Sequence, residues 1–169
     1  MKQVIIFLLM NYNNEVPVKE LQQEFKQFYS IDVQVRSIDL PAASYYKPRN
    51  RYRADSILNY LAKKYHGQRV IALTSKDIST SAHGYADWGV MGLGSLVNDV
   101  SITSTYRLKS KNVKDRLTKV LLHEIGHSYG IPHCSSGLPC LMQAGDHTVK
   151  AIDKEPKSMC KYCKSKKKV

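Results

Sequence analysis

A cluster of histidines near residue 125 constrains the fold of this chain more than any other feature of its sequence. His123 and His127 are four residues apart in a segment with helical spacing of apolar residues, so both imidazoles can lie on one helix face. Gly130 can end that helix in a left-handed turn, and the Ile-Pro pair after it cannot continue the helix. The chain therefore turns sharply and brings His133 back towards the other two histidines.

This arrangement predicts a catalytic metal site. Three protein ligands with one open position are the layout of catalytic zinc, whereas structural zinc sites fill all four positions. Glu124 lies one step around the helix from the two histidines, where it can act on a water molecule rather than on the metal. The alternative is a chance pair of histidines, since a bare HExxH pattern does occur by accident, but the helix–turn context favours the metal site.

The four cysteines of the chain form a second cluster in its last quarter. Cys134 directly follows the third histidine, Cys140 comes six residues later, and Cys160 and Cys163 form a CxxC pair. Two cysteine pairs about 20 residues apart predict a tetrahedral four-thiolate zinc site. Two disulfides, a redox-active CxxC, buried free thiols or an iron–sulfur cluster would also use four cysteines, and these alternatives stay open at this point.

Apolar residues upstream change between helical and strand spacing. The predicted order is strand, helix, strand, helix, strand, which indicates a largely parallel α/β sheet with right-handed connections, completed by a further strand and the histidine helix. The predicted strands cover residues 4–10, 31–38, 70–73 and 100–106, and the predicted helices follow Pro17, run from 54 to 65 and begin after Asn112. Asn112 has the character of an N-cap, with Asp115 completing a capping box.

Four glycines lie between residues 84 and 94. Glycine weakens the interior of a strand and marks an edge, a bulge or the close approach of another backbone. The segment is therefore either a flexible loop or an edge strand on which a peptide could lie by β-addition, and the sequence permits both. The residues of the candidate substrate edge strand are Gly89, Val90, Met91, Gly92 and Leu93.

The charge of the chain is strongly positive. Its 169 residues, enough for one domain, carry a net charge of +12, and residues 150–169 contain a marked excess of lysines. Such a surplus raises nucleic acid, an anionic membrane or acidic substrates as partners. A four-thiolate zinc centre is itself negative, so the C-terminal lysines also have a local electrostatic explanation that needs no external partner.

The start of the chain bears on its compartment. The apolar run from Val4 to Met10 is at the lower limit for a signal peptide and no small-residue cleavage site follows it, so a buried first strand is the better interpretation. No stretch approaches the roughly 20 apolar residues of a transmembrane helix. We therefore expect a cytoplasmic protein, and we expect it to be a monomer.

The C-terminal motifs resemble those of one family, the archaemetzincins, a branch of the metzincin zinc peptidases. The family pattern HExxHxxGxxHC fits residues 123–134 without exception, Cys140-Leu141-Met142 supplies the next part, and seventeen residues separate Met142 from the CxxC pair. One departure exists, since five residues lie between Cys134 and Cys140 where the family usually has four. Upstream the likeness is weaker and includes Arg51-Tyr52 and the glycine-rich segment.

The resemblance implies a compact, minimal metzincin-like domain of α/β class. Its twisted, mostly parallel sheet would have an antiparallel edge strand along the substrate cleft, a backing helix and an active-site helix. Residues 1–169 would form a single catalytic domain, with an N-terminal subdomain over 1–130 and a C-terminal subdomain over 131–169. The resemblance further implies one catalytic and one structural Zn²⁺ ion, and a Met-turn in which Met142 lies beneath the histidines. Without the resemblance, Met142 would be an ordinary core residue.

Two functions compete at the level of the sequence. The first is hydrolysis of peptide bonds in peptide or protein substrates through a zinc-activated water, with Glu124 as general base and acid. The second is a weakly active or inactive zinc-dependent module that binds peptides or nucleic acid, supported by the basic C-terminus and by residues 45–53, where tyrosines interleave with basic residues. We expect neither a nucleic-acid nor a membrane partner, and we expect residues 45–53 to be a solvated loop, because no nucleic-acid-binding signature accompanies them.

Overall fold

The computed structural model describes residues 4–108, 111–145 and 148–166, and within them strands and helices alternate. In chain order the elements are β1 (Ile5–Met10), α1 (Val18–Tyr29), β2 (Gln34–Ile38), β3 (Tyr45–Tyr46), β4 (Arg51–Arg53), α2 (Ala54–Lys64), β5 (Arg69–Thr74), β6 (Ile78–Ala82), β7 (Tyr85–Val90), β8 (Gly92–Gly94), β9 (Val100–Ser104), α3 (Val113–Ser128), α4 (Val149–Lys154) and α5 (Lys161–Ser165). Short 3-10 turns over Ala42–Ser44 and Lys47–Arg49 flank β3.

A five-stranded sheet with the order β2-β1-β5-β9-β8 forms the centre of the fold. β1 pairs in parallel with β2 and with β5, and β5 pairs in parallel with β9. β8 is antiparallel to β9 and lies at the edge. The predicted mostly parallel sheet with one antiparallel edge strand is therefore confirmed.

Both faces of this sheet are covered by helices, and β1 shows how. Its side chains point to the two faces in turn. Ile5 and Phe7 belong to the apolar core shared with α1 and α3, whereas Ile6 and Leu8 belong to the core shared with α2. Burial on both faces explains why this strand is an unbroken apolar run in the sequence. No helix of the described residues has the length and apolar character needed to cross a membrane.

A second sheet, with the order β3-β4-β6-β7, was not predicted. The expectation of a solvated loop over residues 45–53 was wrong, because this segment contributes β3 and β4. These strands are only two and three residues long, too short to show the alternation of a strand in the sequence. Arg51 is buried with its Nε 3.5 Å from a carboxylate oxygen of Asp87, and Arg53 binds Asp55 at 2.8 Å. Arg51 is thus paired inside the protein, and Arg53 is paired at its half-buried edge.

The start of α3 differs in one detail from the prediction. Asn112 is the N-cap residue, but its side chain makes no capping hydrogen bond, so the capping box is not formed. Asp115 instead forms an ion pair with Lys119 one turn later, with an N–O distance of 2.9 Å. An acidic residue in the first turn still interacts favourably with the helix dipole.

The C-terminal segment packs against α3. Leu141, Met142 and Ile152 are buried in the same apolar cluster as the helix residue Ile125. A bidentate ion pair, with both N–O distances 2.6 Å, joins Arg116 of α3 to Asp153 of α4. The segment that follows the third histidine is therefore held against the helix that carries the first two.

Candidate active site

The three histidines meet at one point because α3 ends in a Schellman motif. Gly130 has a φ of +76° and donates its N–H to the carbonyl of His127 at 2.7 Å, and the next N–H reaches back to Gly126 at 3.1 Å. The predicted left-handed turn is thus present. It directs His133 towards the helix, so that the candidate ligand atoms of His123, His127 and His133 lie within 4.8 Å of one another.

Backbone carbonyls orient the two helical histidines. Nδ1 of His123 lies 2.7 Å from the carbonyl oxygen of Leu141, and Nδ1 of His127 lies 2.8 Å from that of Ile131. Because a carbonyl only accepts, each Nδ1 carries the proton and each Nε2 lone pair is left for a metal ion. Burial lowers the pKa of His127, with a smaller contribution from the charge of His133, which favours the neutral form that binds metal. This donor set fits zinc.

Glu124 is buried between α3 and the edge strand β8. Burial raises the pKa of its carboxyl to about 8, and a hydrogen bond donated by the backbone N–H of Gly94 opposes that shift. A Cβ atom on Gly92 would lie 2.6 Å from Cγ of Glu124, and one on Gly94 would lie 2.5 Å from its backbone oxygen. Glycine is therefore required at both positions for the strand to lie directly on the active-site helix.

The candidate substrate edge segment is divided between the two sheets. Gly89 and Val90 end β7, Met91 forms the connection, and Gly92 and Leu93 belong to β8. Only the last two therefore lie on the edge of the main sheet, beside Glu124. Gly94, which the candidate range omitted, completes that edge, and the alternation of glycines at 92 and 94 was the signal that could have identified it.

Met142 packs against the turn of α3 that carries the two helical histidines. The residue is fully buried, and a Cβ atom on Gly126, between the two helical histidines, would lie 2.5 Å from its Sδ. Its carbonyl accepts the backbone N–H of Cys134 at 2.7 Å, so Met142 is tied to the segment that carries His133. The carbonyl of the preceding residue, Leu141, is the one that orients His123.

The histidines and Glu124 line a cleft of about 340 Å³. One wall is formed by the β6–β7 hairpin and β8. The other is formed by the segment after Met142, including Thr148, the N-cap of α4, and Ala151 and Ile152 within α4. Among the described residues that line the cleft there is no lysine or arginine. The positive charge of the chain therefore does not extend into its candidate active site.

The four cysteines converge as the sequence predicts. Their Sγ atoms lie within 4.8 Å of one another, and Sγ of Cys134 is 3.6 Å from that of Cys160. A tetrahedral zinc–thiolate site with bonds of about 2.3 Å has sulfurs about 3.8 Å apart. All four are free thiols in the structure, so the alternative of two disulfides does not fit. This donor set fits zinc as well.

Hydrogen bonds favour thiolate at one of these cysteines and burial opposes it at another. A backbone N–H donated by Cys163 and the hydroxyl of Ser136 lower the pKa of Cys160 to about 6. Burial raises the pKa of Cys163 far above its usual range. A buried cluster of this kind needs a cation to hold four thiolates together, since the charged forms are otherwise disfavoured.

Comparison with known proteins gives the class of the protein and then its family. Residues 8–168 match the family model described as Peptidase family M54, so the protein is a zinc metallopeptidase. The archaemetzincin of Nanoarchaeum equitans is 30% identical over 82% of this chain and 75% of its own length. The chain belongs to peptidase family M54, the archaemetzincins.

Solved structures agree with this assignment. The crystal structure of the archaemetzincin of Archaeoglobus fulgidus, complexed with malonate, is 28% identical and has a TM-score of 0.80, with 96% of this chain and 99% of that chain covered. The archaemetzincin structure from Methanopyrus kandleri, 24% identical with a TM-score of 0.75 over 96% of this chain and 92% of that chain, supports the fold. The fold predicted from the resemblance is therefore confirmed.

Proposed function

We propose that this zinc metallopeptidase hydrolyses peptide bonds at the histidine cluster, with Glu124 as general base and then general acid. The observation that carries the proposal is the position of the Glu124 carboxyl, buried beside the two helical histidines and facing the same cleft. His123, His127 and His133 would hold the catalytic zinc ion. Such an ion supplies a Lewis acid that activates water and polarises a carbonyl group.

Several residues of the chain have distinct roles in this hydrolysis. The pKa of the Glu124 carboxyl would be lowered by a nearby zinc ion held by the histidines, so that the carboxylate can accept a proton from the attacking water and hand it to the nitrogen of the leaving amine. The N–H of Gly94 donates to its carboxylate and the glycines of β8 leave room for it, so the side chain is held in one place. The carbonyls of Leu141 and Ile131 keep the imidazoles oriented, and Met142 supports the helix from below.

The free edge of β8 is the proposed binding site for the substrate backbone. β8 pairs with β9 on one side only, and Glu124 and His127 pack beneath its glycines. An extended peptide that adds to this edge would pass directly over the histidine cluster, and its main chain would pair with groups of β8 that bond neither to β9 nor, like the N–H of Gly94, to Glu124.

A second, structural zinc ion is proposed for Cys134, Cys140, Cys160 and Cys163. Four ligands leave no position for a substrate, and three of the four cysteines are buried. The cluster connects residues 131–145, in which the structure has no helix or strand, to the five-residue helix α5. Its role is therefore to hold the chain that carries Leu141 and Met142.

A peptide-library digest with wild-type protein and Glu124→Gln tests this function. Gln keeps the size of the side chain, so the variant should fold, keep its zinc and lose hydrolysis by at least about 100-fold. Zinc content measured by elemental analysis on the same samples is the control for an intact metal site. Hydrolysis that survives in Glu124→Gln with full zinc occupancy would overturn the proposed role. A wild-type protein that binds the peptides and cuts none would favour a binding module.

A further inference from the structure

One face of the β6–β7 hairpin forms part of a cleft wall. The two strands turn tightly at His83 and Gly84, whose φ angles of +53° and +79° are those of a type I′ turn. Thr80 pairs with Trp88 across the hairpin. Both residues line the same cleft as Glu124 and the histidines, together with Ala82, His83 and Val90.

Trp88 is held in a fixed position on this wall. Its ring stacks on Tyr85, with centroids 5.4 Å apart and an interplanar angle of 29°, and it meets the ring of His83 edge-on at 5.2 Å. Trp88 is only half-buried, although it packs partly on the core shared with α2. It therefore presents a large, oriented aromatic surface to the cleft.

The opposite face of the hairpin is anchored by charged groups. Asp77 accepts two hydrogen bonds from Arg107, at 2.9 and 3.0 Å. Arg51 lies between Asp77 and Asp87, at 3.7 and 3.5 Å, and the guanidinium of Arg107 packs on Gly89 of β7. These ion pairs anchor the hairpin on the face away from the cleft, so its cleft face is a rigid surface preorganised for a substrate.

The chemistry of this wall selects for apolar ligands. The face contributed by Thr80, Ala82, Trp88 and Val90 carries no charge. Within the part of the chain that the structure describes, no lysine or arginine lines the cleft, so it offers an acidic side chain no permanently charged partner. The wall is also continuous with β8, so a peptide lying on that edge can place a side chain against Trp88.

We propose that Trp88, with Thr80, Ala82 and His83, forms a specificity subsite that takes an aromatic side chain of an extended peptide substrate. This inference rests on the proposed function, because it assigns the substrate class of the same cleft. A substrate ring stacked against Trp88 would gain both apolar burial and the preference of aromatic rings for offset contact. Trp88 is then a specificity-determining residue outside the zinc-binding motif.

The chain offers a direct reporter, because Trp88 is its single tryptophan. Zinc-loaded Glu124→Gln protein is titrated with end-blocked octapeptides of Ala, Gly and Ser that carry one Phe, scanned through each position, and with the parent peptide without Phe. We expect one Phe position to bind about tenfold more tightly than the parent. The same peptide should change the emission of Trp88 in a saturable manner.

Two further variants distinguish binding at the subsite from nonspecific hydrophobic binding of the Phe side chain. Ala82→Phe fills the space beside Trp88 and should reduce the advantage of the Phe peptide to within about twofold. Tyr45→Ala removes an exposed aromatic residue of the same sheet that does not line the cleft, and should keep the full advantage. Equal binding at every Phe position, an unchanged Trp88 emission, or an advantage that survives in Ala82→Phe would overturn the subsite.

The titration does not depend on catalysis. If the wild-type protein fails to cut the best Phe peptide while Glu124→Gln still binds it through Trp88, then the proposed hydrolysis fails and the subsite stands. If the wild-type protein cuts peptides without regard to Phe and the emission of Trp88 stays constant, then the subsite fails and the hydrolysis stands.

Discussion

The histidine cluster and the cysteine cluster have equally compact ligand sets in opposite surroundings. In each of them the candidate ligand atoms lie within 4.8 Å of one another. The histidines lie at the floor of a cleft, where His123 is half-buried and His133 is exposed, whereas only Cys134 of the four cysteines is not buried. A metal ion with three ligands at an open cleft can meet a substrate, and one with four ligands in the interior can only hold the chain.

The two clusters also depend on each other. Cys134 follows His133 directly, and Cys140 precedes Leu141, whose carbonyl orients His123. The backbone N–H of Cys160 donates to Sγ of Cys140 at 3.3 Å, so the C-terminal pair is tied to this turn. We infer that the cysteine site maintains the geometry of the histidine site. Loss of the cysteine site should therefore destabilise the fold and abolish hydrolysis, whereas loss of the histidine site should abolish hydrolysis alone.

The largest effect is expected for Cys160→Ser. Without the fourth thiolate, the C-terminal segment should lose its zinc, and the melting temperature should fall by more than about 10 °C, because structural zinc supplies much of the folding free energy of such segments. Hydrolysis should be lost too. Circular dichroism melts test this, with Lys164→Ser on the exposed face of α5 as control. A melting temperature within about 2 °C of wild type would show that the cysteine cluster is not structural.

A smaller effect, confined to the histidine site, is expected for Gly92→Ala. The new Cβ would lie 2.6 Å from Cγ of Glu124 and must displace that carboxylate, which should lower kcat about 100-fold while both zinc ions remain. Gly126→Ala is the matched variant, because its Cβ meets the flexible thioether of Met142. It should cost less than about tenfold in kcat. Equal losses of kcat in the two variants would show that the close packing of β8 on Glu124 does not determine the rate of hydrolysis.

The smallest effect is expected for Asp153→Asn, which weakens the contact between α3 and the cleft wall. Arg116 holds the pKa of Asp153 below its usual value through their hydrogen bonds. A carboxyl with a lowered folded-state pKa stabilises the fold above its unfolded pKa and loses that contribution as the pH falls through the folded value.

The variant should therefore show a raised KM with kcat retained, and a lower melting temperature than wild type at pH 7. That difference should shrink as the pH falls below about 4, where Asp153 of the unfolded chain takes up a proton, and it should be lost once the folded protein also takes up that proton at a lower pH. Asp32→Asn, which breaks the exposed pair with Lys26, is the control and should change neither quantity. A melting difference that stays constant down to pH 3 would contradict the role of the ion pair.

The sequence carried most of the information about the candidate ligands. Residue type and spacing determine which side chains can meet on a helix and its turn, so His133 and Gly130 could be placed without a structure. The unbroken apolar runs of β1 and β5 likewise predicted buried strands of the central sheet. These features are local, because each depends on residues close together in the chain.

The remaining features depend on contacts between distant residues. The second sheet is stabilised by pairs such as Arg107 with Asp77, thirty residues apart, and its shortest strands have no periodicity of their own. The glycines of residues 84–94 signalled a close approach, but only the fold shows that Glu124 is what approaches Gly92. For the same reason the cleft wall around Trp88 could not be assigned from the sequence.

Zinc content per chain tests the distinction between the two clusters most directly. Elemental analysis of the purified wild-type protein should give two zinc ions per chain. The double variant His123→Ala/His127→Ala should keep one, with an unchanged circular dichroism spectrum and no hydrolysis. A single zinc ion in the wild type that disappears in the double variant would contradict the cysteine site.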